Sequence, residues 1–286
     1  MLFDLTPLTA QFGSLELGIL ICLAIGFFVG IISGMFGIGG GFIITPFFHA
    51  GLGLSASHAV ASSMGQMPLM AAFACWEYFK KNLISFKTAL FFLITAIPSA
   101  QYVAHWVAKI QNSEFGSEPV WNGLSSADVI ILISFTFIIG TIGLYNLYRS
   151  YGLNADDSNL KPMFKGNGLN IASLISGIIF GIVSVILGIG GGFLAVPFFI
   201  YVHGLKPINA VATSMFCIFI TSSITSLHYL WLGEIYFGLS MVLALSSIIG
   251  AVLGTKIAIK LSPDILLKSF ALLQLGVVIV YIYIKL

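Results

Sequence analysis

Long apolar runs separated by short polar turns fill this chain. The runs cover residues 15–36, 38–54, 58–78, 87–108, 126–148, 168–187, 189–204, 208–230, 236–258 and 264–284. A helix that spans a bilayer needs about 20 apolar residues, and most of the runs meet that length. Five lie on each side of the polar stretch Arg149–Gly168 (RSYGLNADDSNLKPMFKGNG). A second polar loop, Lys109–Ser125, holds Glu114, Glu118 and Trp121, with the indole placed where an interfacial tryptophan belongs. The pattern predicts an all-α membrane protein of about ten transmembrane helices. Residues 1–148 form a first repeat, 149–168 a cytoplasmic polar linker and 169–286 a second repeat.

One run in each half is interrupted. Gly37-Ile38-Gly39-Gly40-Gly41-Phe42-Ile43-Ile44-Thr45-Pro46-Phe47-Phe48 returns 151 residues later as Gly188-Ile189-Gly190-Gly191-Gly192-Phe193-Leu194-Ala195-Val196-Pro197-Phe198-Phe199. Consecutive glycines followed by a proline do not continue a helix, because glycine loses the most backbone freedom on folding and proline lacks a donor and clashes with the preceding turn. Sliding residues 26–64 onto 177–215 needs no gap and yields 20 identities in 39 pairs. Ala59-Val60-Ala61-Ser62-Ser63-Met64 matches Ala210-Val211-Ala212-Thr213-Ser214-Met215. Two equivalent halves of five crossings each must run in opposite directions, which predicts an inverted repeat with a broken glycine-rich helix in each half.

Composition agrees with this reading and narrows the function. The 286 residues are 58% hydrophobic and only 8% charged, whereas a soluble domain carries about 25% charged residues. A net charge of +2 is too mild for nucleic-acid binding. Cys22, Cys75 and Cys217 all fall in apolar runs without metal-ligand spacing, so they read as small buried side chains. The N-terminus carries Asp4 and Glu16 and no basic region, and no cleavable signal peptide is expected.

The basic residues set an orientation. With ten crossings and the N-terminus outside, Lys80, Lys81, Lys87, Arg149, Lys161, Lys165, Lys206, Lys256, Lys260 and Lys268 face the cytoplasm, and only Lys109 and Lys285 face out. That asymmetry satisfies the positive-inside rule. It disappears if the two glycine segments do not cross.

The breaks carry the candidate chemistry. After each glycine run a short helix restarts, leaving free N–H groups and partial positive charge at its first turn. Glycine lets an anion approach that turn closely. The next segment in each half opens with hydroxyls, Ser62-Ser63 and Thr213-Ser214, able to complete the shell of an oxyanion. Gln66 lies one turn further on their helix face, and its repeat partner is Cys217. The expected substrate-binding residues are therefore Gly39, Gly40, Gly41, Ser62, Ser63, Gln66, Gly190, Gly191, Gly192, Thr213 and Ser214. The competing reading is that glycines and small residues serve only tight helix packing. Doubling of the whole constellation favours a site. Gln101 lies deep in its run. His58, His105 and His228 read as hydrogen-bonded membrane histidines, Glu77 as an interfacial carboxylate, and Asp156 and Asp157 as solvated. No nucleophile–base pair, metal cluster or phosphate loop appears, so no catalytic residue, metal or cofactor is expected. The GxGGG run lacks the strand–turn–helix setting and the later acid of a dinucleotide site.

At these residues the sequence resembles the TauE/SafE family of sulfite and organosulfonate exporters. The resemblance rests on the doubled G-[IL]-G-G-G-x4-P core at Gly37–Pro46 and Gly188–Pro197 and on the doubled AVA[ST]S run. It extends over both halves and the linker. It implies a multi-pass protein of a bacterial plasma membrane that moves small sulfur-containing anions by secondary transport. A proton or a sodium ion would be the coupling partner, and the lipid bilayer and the anion the others. An anion channel, or less readily a membrane-embedded enzyme, is the alternative.

Overall fold

The computed structural model describes residues 5–111, 119–121, 124–125, 136–137, 139–148, 162–163, 166–188 and 190–285. The described residues are helical almost throughout. Helix α1 is Thr6–Phe12 and α2 is Leu15–Phe36. Helix α3, Gly41–Pro46, runs into a π-helical turn at Phe47–Gly51. Helices α4 (Ala56–Phe79) and α5 (Phe86–Gln111) follow. A two-stranded antiparallel pair, β1 at Pro119–Trp121 and β2 at Leu124–Ser125, lies in the loop that the hydropathy pattern left without structure. Residues 139–148 form α6. The second half holds α7 (Asn167–Leu187), α8 (Gly192–Tyr201), α9 (Pro207–Trp231), α10 (Phe237–Lys260) and α11 (Pro263–Lys285). Parts of the expected segment 126–148 and most of the linker 149–168 lie outside the described residues.

Five of the described helices are long and apolar enough to cross a membrane: Leu15–Phe36, Phe86–Trp106, Asn167–Ile186, Pro207–Trp231 and Phe237–Lys260. Their large apolar side chains point outward, as Leu20, Phe28, Leu90, Ile175, Leu245 and Ile249 do. The interior holds large apolar residues too, such as Phe42, Phe92, Phe193 and Phe270, and among them small and polar ones including Ser33, Ser62, Ser63, Gln66, Thr213, Ser214, Ser247 and Gln274. Apolar side chains on the outside as well as within suit a chain whose solvent is hydrocarbon, where close packing of small residues and interhelical hydrogen bonds hold helices together.

The segments that begin with glycine are short. At about 1.5 Å per residue, neither α3 with its π turn nor α8 reaches much beyond 16 Å, about half of a hydrocarbon core. Gly37 and Gly188 end α2 and α7 in the left-handed conformation, with φ of 66° and 61°. Pro46 closes α3, and the helix widens into the π turn directly after it. Pro197 behaves otherwise and sits inside α8, whose helix continues to Tyr201. The break therefore comes from the glycines in both halves. Proline adds a distortion in the first half alone.

Helix pairing follows the 151-residue offset. Helices α4 and α9 start 151 residues apart, as do α5 and α10, while α2 and α7 end 151 apart. Helix α2 packs on α10, and α7 packs on α5, so the first helix of each half lies against the fourth of the other. Helices α4 and α9 pack on each other, α4 on α10 and α9 on α5. The α2 contact depends on Gly26, Gly30 and Gly34, spaced four apart on one face. A Cβ at these positions would press on the carbonyls of Leu243, Ser247 and Ala251. In α7, Gly177 and Gly181 meet the carbonyls of Phe92 and Ala96 in the same way. Backbones meet here at a distance that only hydrogen in place of Cβ permits.

Candidate functional site

The two glycine breaks touch. A Cβ on Gly41 would collide with the carbonyl oxygen of Gly188, and one on Gly192 with that of Gly37. Gly190 faces Gly39 and the Met67 sulfur. The aromatic rings that follow the glycines, Phe42 and Phe193, meet edge to face at 5.1 Å. Gly39 and Gly190 hold φ of 76° and 82°, a region where a side chain is strained. All six expected glycines are thus at one buried crossing.

The expected hydroxyls are there too, and each is engaged in a bond that crosses between halves. Ser63 Oγ lies 3.2 Å from Gly188 O and Ser214 Oγ 2.6 Å from Gly37 O, in both cases donating to the carbonyl at the end of the other half's first helix. Thr45 adds a second donor to Gly188 O at 2.9 Å; the repeat counterpart of Thr45 is Val196. Ser62 Oγ accepts from the Tyr236 N–H at 2.9 Å, and Thr213 Oγ1 accepts from the Ser85 N–H at 3.0 Å. Tyr236 and Ser85 immediately precede α10 and α5, so these two hydroxyls satisfy donors at the start of the other half's fourth helix. One turn earlier, His58 Nδ1 bonds Glu234 O at 2.8 Å, and Asn209 Nδ2 bonds Leu83 O at 2.9 Å. Every bond in this set except that of Thr45 has a counterpart in which both partners shift by 151.

Gln66 breaks that equivalence. Its amide oxygen accepts from Ser247 Oγ at 3.3 Å, and its amide nitrogen lies against Gly40, 2.5 Å from where a Cβ on that glycine would stand. Nε2 finds no hydrogen-bond partner among the described residues, although Gln66 is fully buried. Ser33 Oγ, on α2, is buried without a partner in the same sense. In the second half the corresponding space against Gly191 is filled by the ring of Phe180. Phe180 is the repeat partner of Val29, whose Cγ1 flanks Gly40.

Two groups outside the sequence expectation complete the surroundings. Met67 seals the crossing beside Gly41 and Gly190. Gln274, on α11, donates to Phe193 O at 3.3 Å and accepts from Asn146 Nδ2 at 2.6 Å. The Phe193 carbonyl is the one that Pro197 leaves without its intrahelical donor, so the glutamine replaces a missing helix bond. The signal was a proline four residues beyond Phe193 together with a lone glutamine in an apolar run. Elsewhere, Gln101 Nε2 donates to Thr225 Oγ1 at 3.1 Å, and the rings of His105 and His228 stand 6.5 Å apart, both away from the crossing. Glu77 pairs with Lys80 at 2.9 Å near the end of α4. Asp156 and Asp157 lie outside the described residues.

Beside the first break an apolar crevice of about 920 Å³ runs between α2, α3 and α11, lined among others by Phe36, Phe42, Pro46, Phe47, Leu273 and Val277. Apart from Ser269 its lining is apolar, so it offers an anion little.

The sequence model of the family described as "Sulfite exporter TauE/SafE" matches residues 22–282. The chain belongs to this family. The TauE/SafE match takes in both breaks and the crossing built from them. Three full-length relatives carry transporter names. "Probable membrane transporter protein YunE" of Bacillus subtilis (strain 168) is 25% identical over 91% of this chain and 97% of its own length. "Probable membrane transporter protein YjnA" of the same organism is 24% identical, covering 84% and 91%. "Probable membrane transporter protein MJ0441" of Methanocaldococcus jannaschii is 25% identical, covering 84% and 86%. No solved structure matches the chain significantly. Family and relatives together make this a multi-pass membrane transporter.

Proposed function

We propose that the protein is a secondary transporter of a small anion, a sulfur oxyanion or organosulfonate, working by alternating access. The observation that carries this reading is the crossing itself. Two broken segments meet backbone to backbone in the interior, and the hydroxyls that join them reach from each half into the other. Two equivalent halves joined by matching bonds have two equivalent ways to open, one to each side, which is what an inverted repeat supplies. The ligand would enter among Gly39–Gly41, Gly190–Gly192, Ser62–Ser63, Gln66 and Thr213–Ser214 as the crossing loosens. Attraction would come from amides and hydroxyls, since no Lys or Arg is among these residues. The reading includes ten crossings, both termini outside, a cytoplasmic linker, a bacterial plasma membrane and coupling to a proton or sodium gradient.

Flux in proteoliposomes tests it. Sulfite, thiosulfate, taurine, sulfoacetate, sulfate and acetate are offered with an imposed proton or sodium gradient. Saturable, gradient-dependent movement of a sulfur anion is expected. No flux of any of them would reject the reading, and large unitary currents would replace it with a channel. Cysteine labelling at Asn159 and Ser117 should report opposite sides of the membrane. Labelling of both from outside would reject the ten-crossing topology.

A further inference from the structure

The two halves match in their bonds but not in what they present to the breaks. The first break has the Gln66 amide against Gly40, with Ser33 one turn beyond Val29 on the same face of α2. The second has a phenyl ring against Gly191, Cys217 where Gln66 would be, and Ser184 as the counterpart of Ser33, so the halves differ at Gln66 and Phe180. Gln66 and Ser33 are both fully buried, and Gln66 Nε2 and Ser33 Oγ lack partners among the described residues. Burying an amide donor without an acceptor is costly, so native interiors rarely keep one without a use. The lone Ser247 bond holds the amide oxygen and so aims the nitrogen at the break. Donors without acceptors suit a ligand made of acceptors.

Resting on the transport reading above, we propose that substrate recognition is one-sided. The oxyanion oxygens are taken by Gln66 Nε2 and Ser33 Oγ at the Gly40 break, between α2, α4 and α10. Of the residues among which the ligand enters, those at the Phe180-covered Gly191 break line its passage and make no polar contact with it once bound. The site recognises one oxyanion head, whether sulfonate, sulfite or carboxylate, and the protein carries a single such site despite its repeated sequence.

The test uses the purified full-length protein in detergent, with affinities for sulfite, methanesulfonate, sulfate and acetate measured by calorimetry and apo stability by thermal unfolding. Gln66→Leu should weaken every oxyanion that the wild type binds by about tenfold to a hundredfold, the usual loss for a hydrogen bond to a charged group. It should also raise the apo melting temperature, because an unpartnered buried donor is removed. Gln66→Glu should abolish binding, since a carboxylate has no hydrogen to donate to an anion. Ser33→Ala should weaken binding several-fold. Phe180→Leu and Cys217→Ala, at the second break, should leave affinity within about twofold. Unchanged affinity in Gln66→Leu, retained affinity in Gln66→Glu, or equal losses at the two breaks would overturn the one-sided site while leaving the transport reading intact. A wild type that binds none of the four anions would overturn both.

Discussion

The glycine break after α2 and the one after α7 share their sequence, their left-handed helix ends and their mutual contact, yet they differ in the residue just before the restart. Gly40 is right-handed helical, with φ of −82°, whereas Gly191 is left-handed, with φ of 73°. The restart is a short helix with a π turn in one case and a ten-residue α-helix in the other. Gly40 faces an amide and Gly191 an aromatic ring. The bonds that join the halves are kept in pairs, while the groups that cover the outer side of each break have diverged. What is shared serves assembly, and what differs is free to serve chemistry.

The largest test of the shared part is at the glycines of the crossing. Gly41→Ala and Gly192→Ala each push a Cβ into a carbonyl oxygen of the other half, where no side chain can yield. Loss of well over 3 kcal/mol is expected in each, beyond the usual range for a point change. Size-exclusion chromatography of detergent extracts should show neither as a monodisperse peak. A folded variant of either would mean that the halves do not meet as closely as described.

A smaller effect, confined to one half, is expected at Gln274. Gln274→Leu leaves the Phe193 carbonyl and the Asn146 amide without their bonds, a loss of about 1–3 kcal/mol for a buried unsatisfied group. Pro197→Ala in the same chain restores a donor within α8 and should recover part of the melting temperature. If the double variant is no more stable than Gln274→Leu, the glutamine is not replacing the proline's missing bond.

The paired serines should differ by less. Among the described residues Ser214 is the one side-chain donor to Gly37 O, while Gly188 O has both Ser63 and Thr45. Ser214→Ala should therefore cost about 1 kcal/mol and Ser63→Ala less. Adding Thr45→Val to Ser63→Ala should bring the two halves level. Thermal unfolding of the four variants measures this, and a larger loss for Ser63→Ala than for Ser214→Ala would reverse the assignment.

The smallest change makes the halves more alike. His58→Asn copies the second half, where Asn209 bonds the equivalent carbonyl. A shift within about 0.5 kcal/mol is expected, as for substitutions that keep their bond. A large loss would show that the 3.2 Å approach of His58 to the Glu234 carboxylate, absent from the second half, carries weight of its own.

Much of this architecture was legible before any coordinates. Run lengths located the helices, because a bilayer admits few alternatives to an apolar helix. The gapless offset located both breaks, since three glycines in a row, repeated with a proline after them, do not continue a helix. The hydroxyls of Ser62, Ser63, Thr213 and Ser214 were expected as ligand groups beside the breaks; the structure buries all four in bonds between the halves that the sequence did not indicate. Those partners lie more than 120 residues away, in the opposite half, and no local pattern points to Gly188 for Ser63 or to Tyr236 for Ser62. The role of Pro197 was read from its intrinsic tendency to break a helix, which Gln274 offsets from a helix 77 residues on. The Val29–Phe180 and Gln66–Cys217 exchanges are visible in the aligned repeats. Their meaning needed the knowledge that Val29 and Gln66 both face Gly40 while Phe180 covers Gly191.

The pairing of α2 with α10 also has a consequence in time. The face of α2 made by Gly26, Gly30 and Gly34 is complete as soon as the first helix is synthesised, but its partner begins at Phe237, some 200 residues later. At ribosomal speeds of about 5–20 residues per second that interval is roughly 10–40 s. Through it, α2 lies in the bilayer with a groove of bare backbone, fitted to a helix that does not yet exist. Lipid, another copy of the same nascent chain, or an insertion factor of the membrane has to occupy that groove until α10 arrives. A chain truncated before α10 should accordingly be a substrate for membrane proteases rather than a stable half-protein.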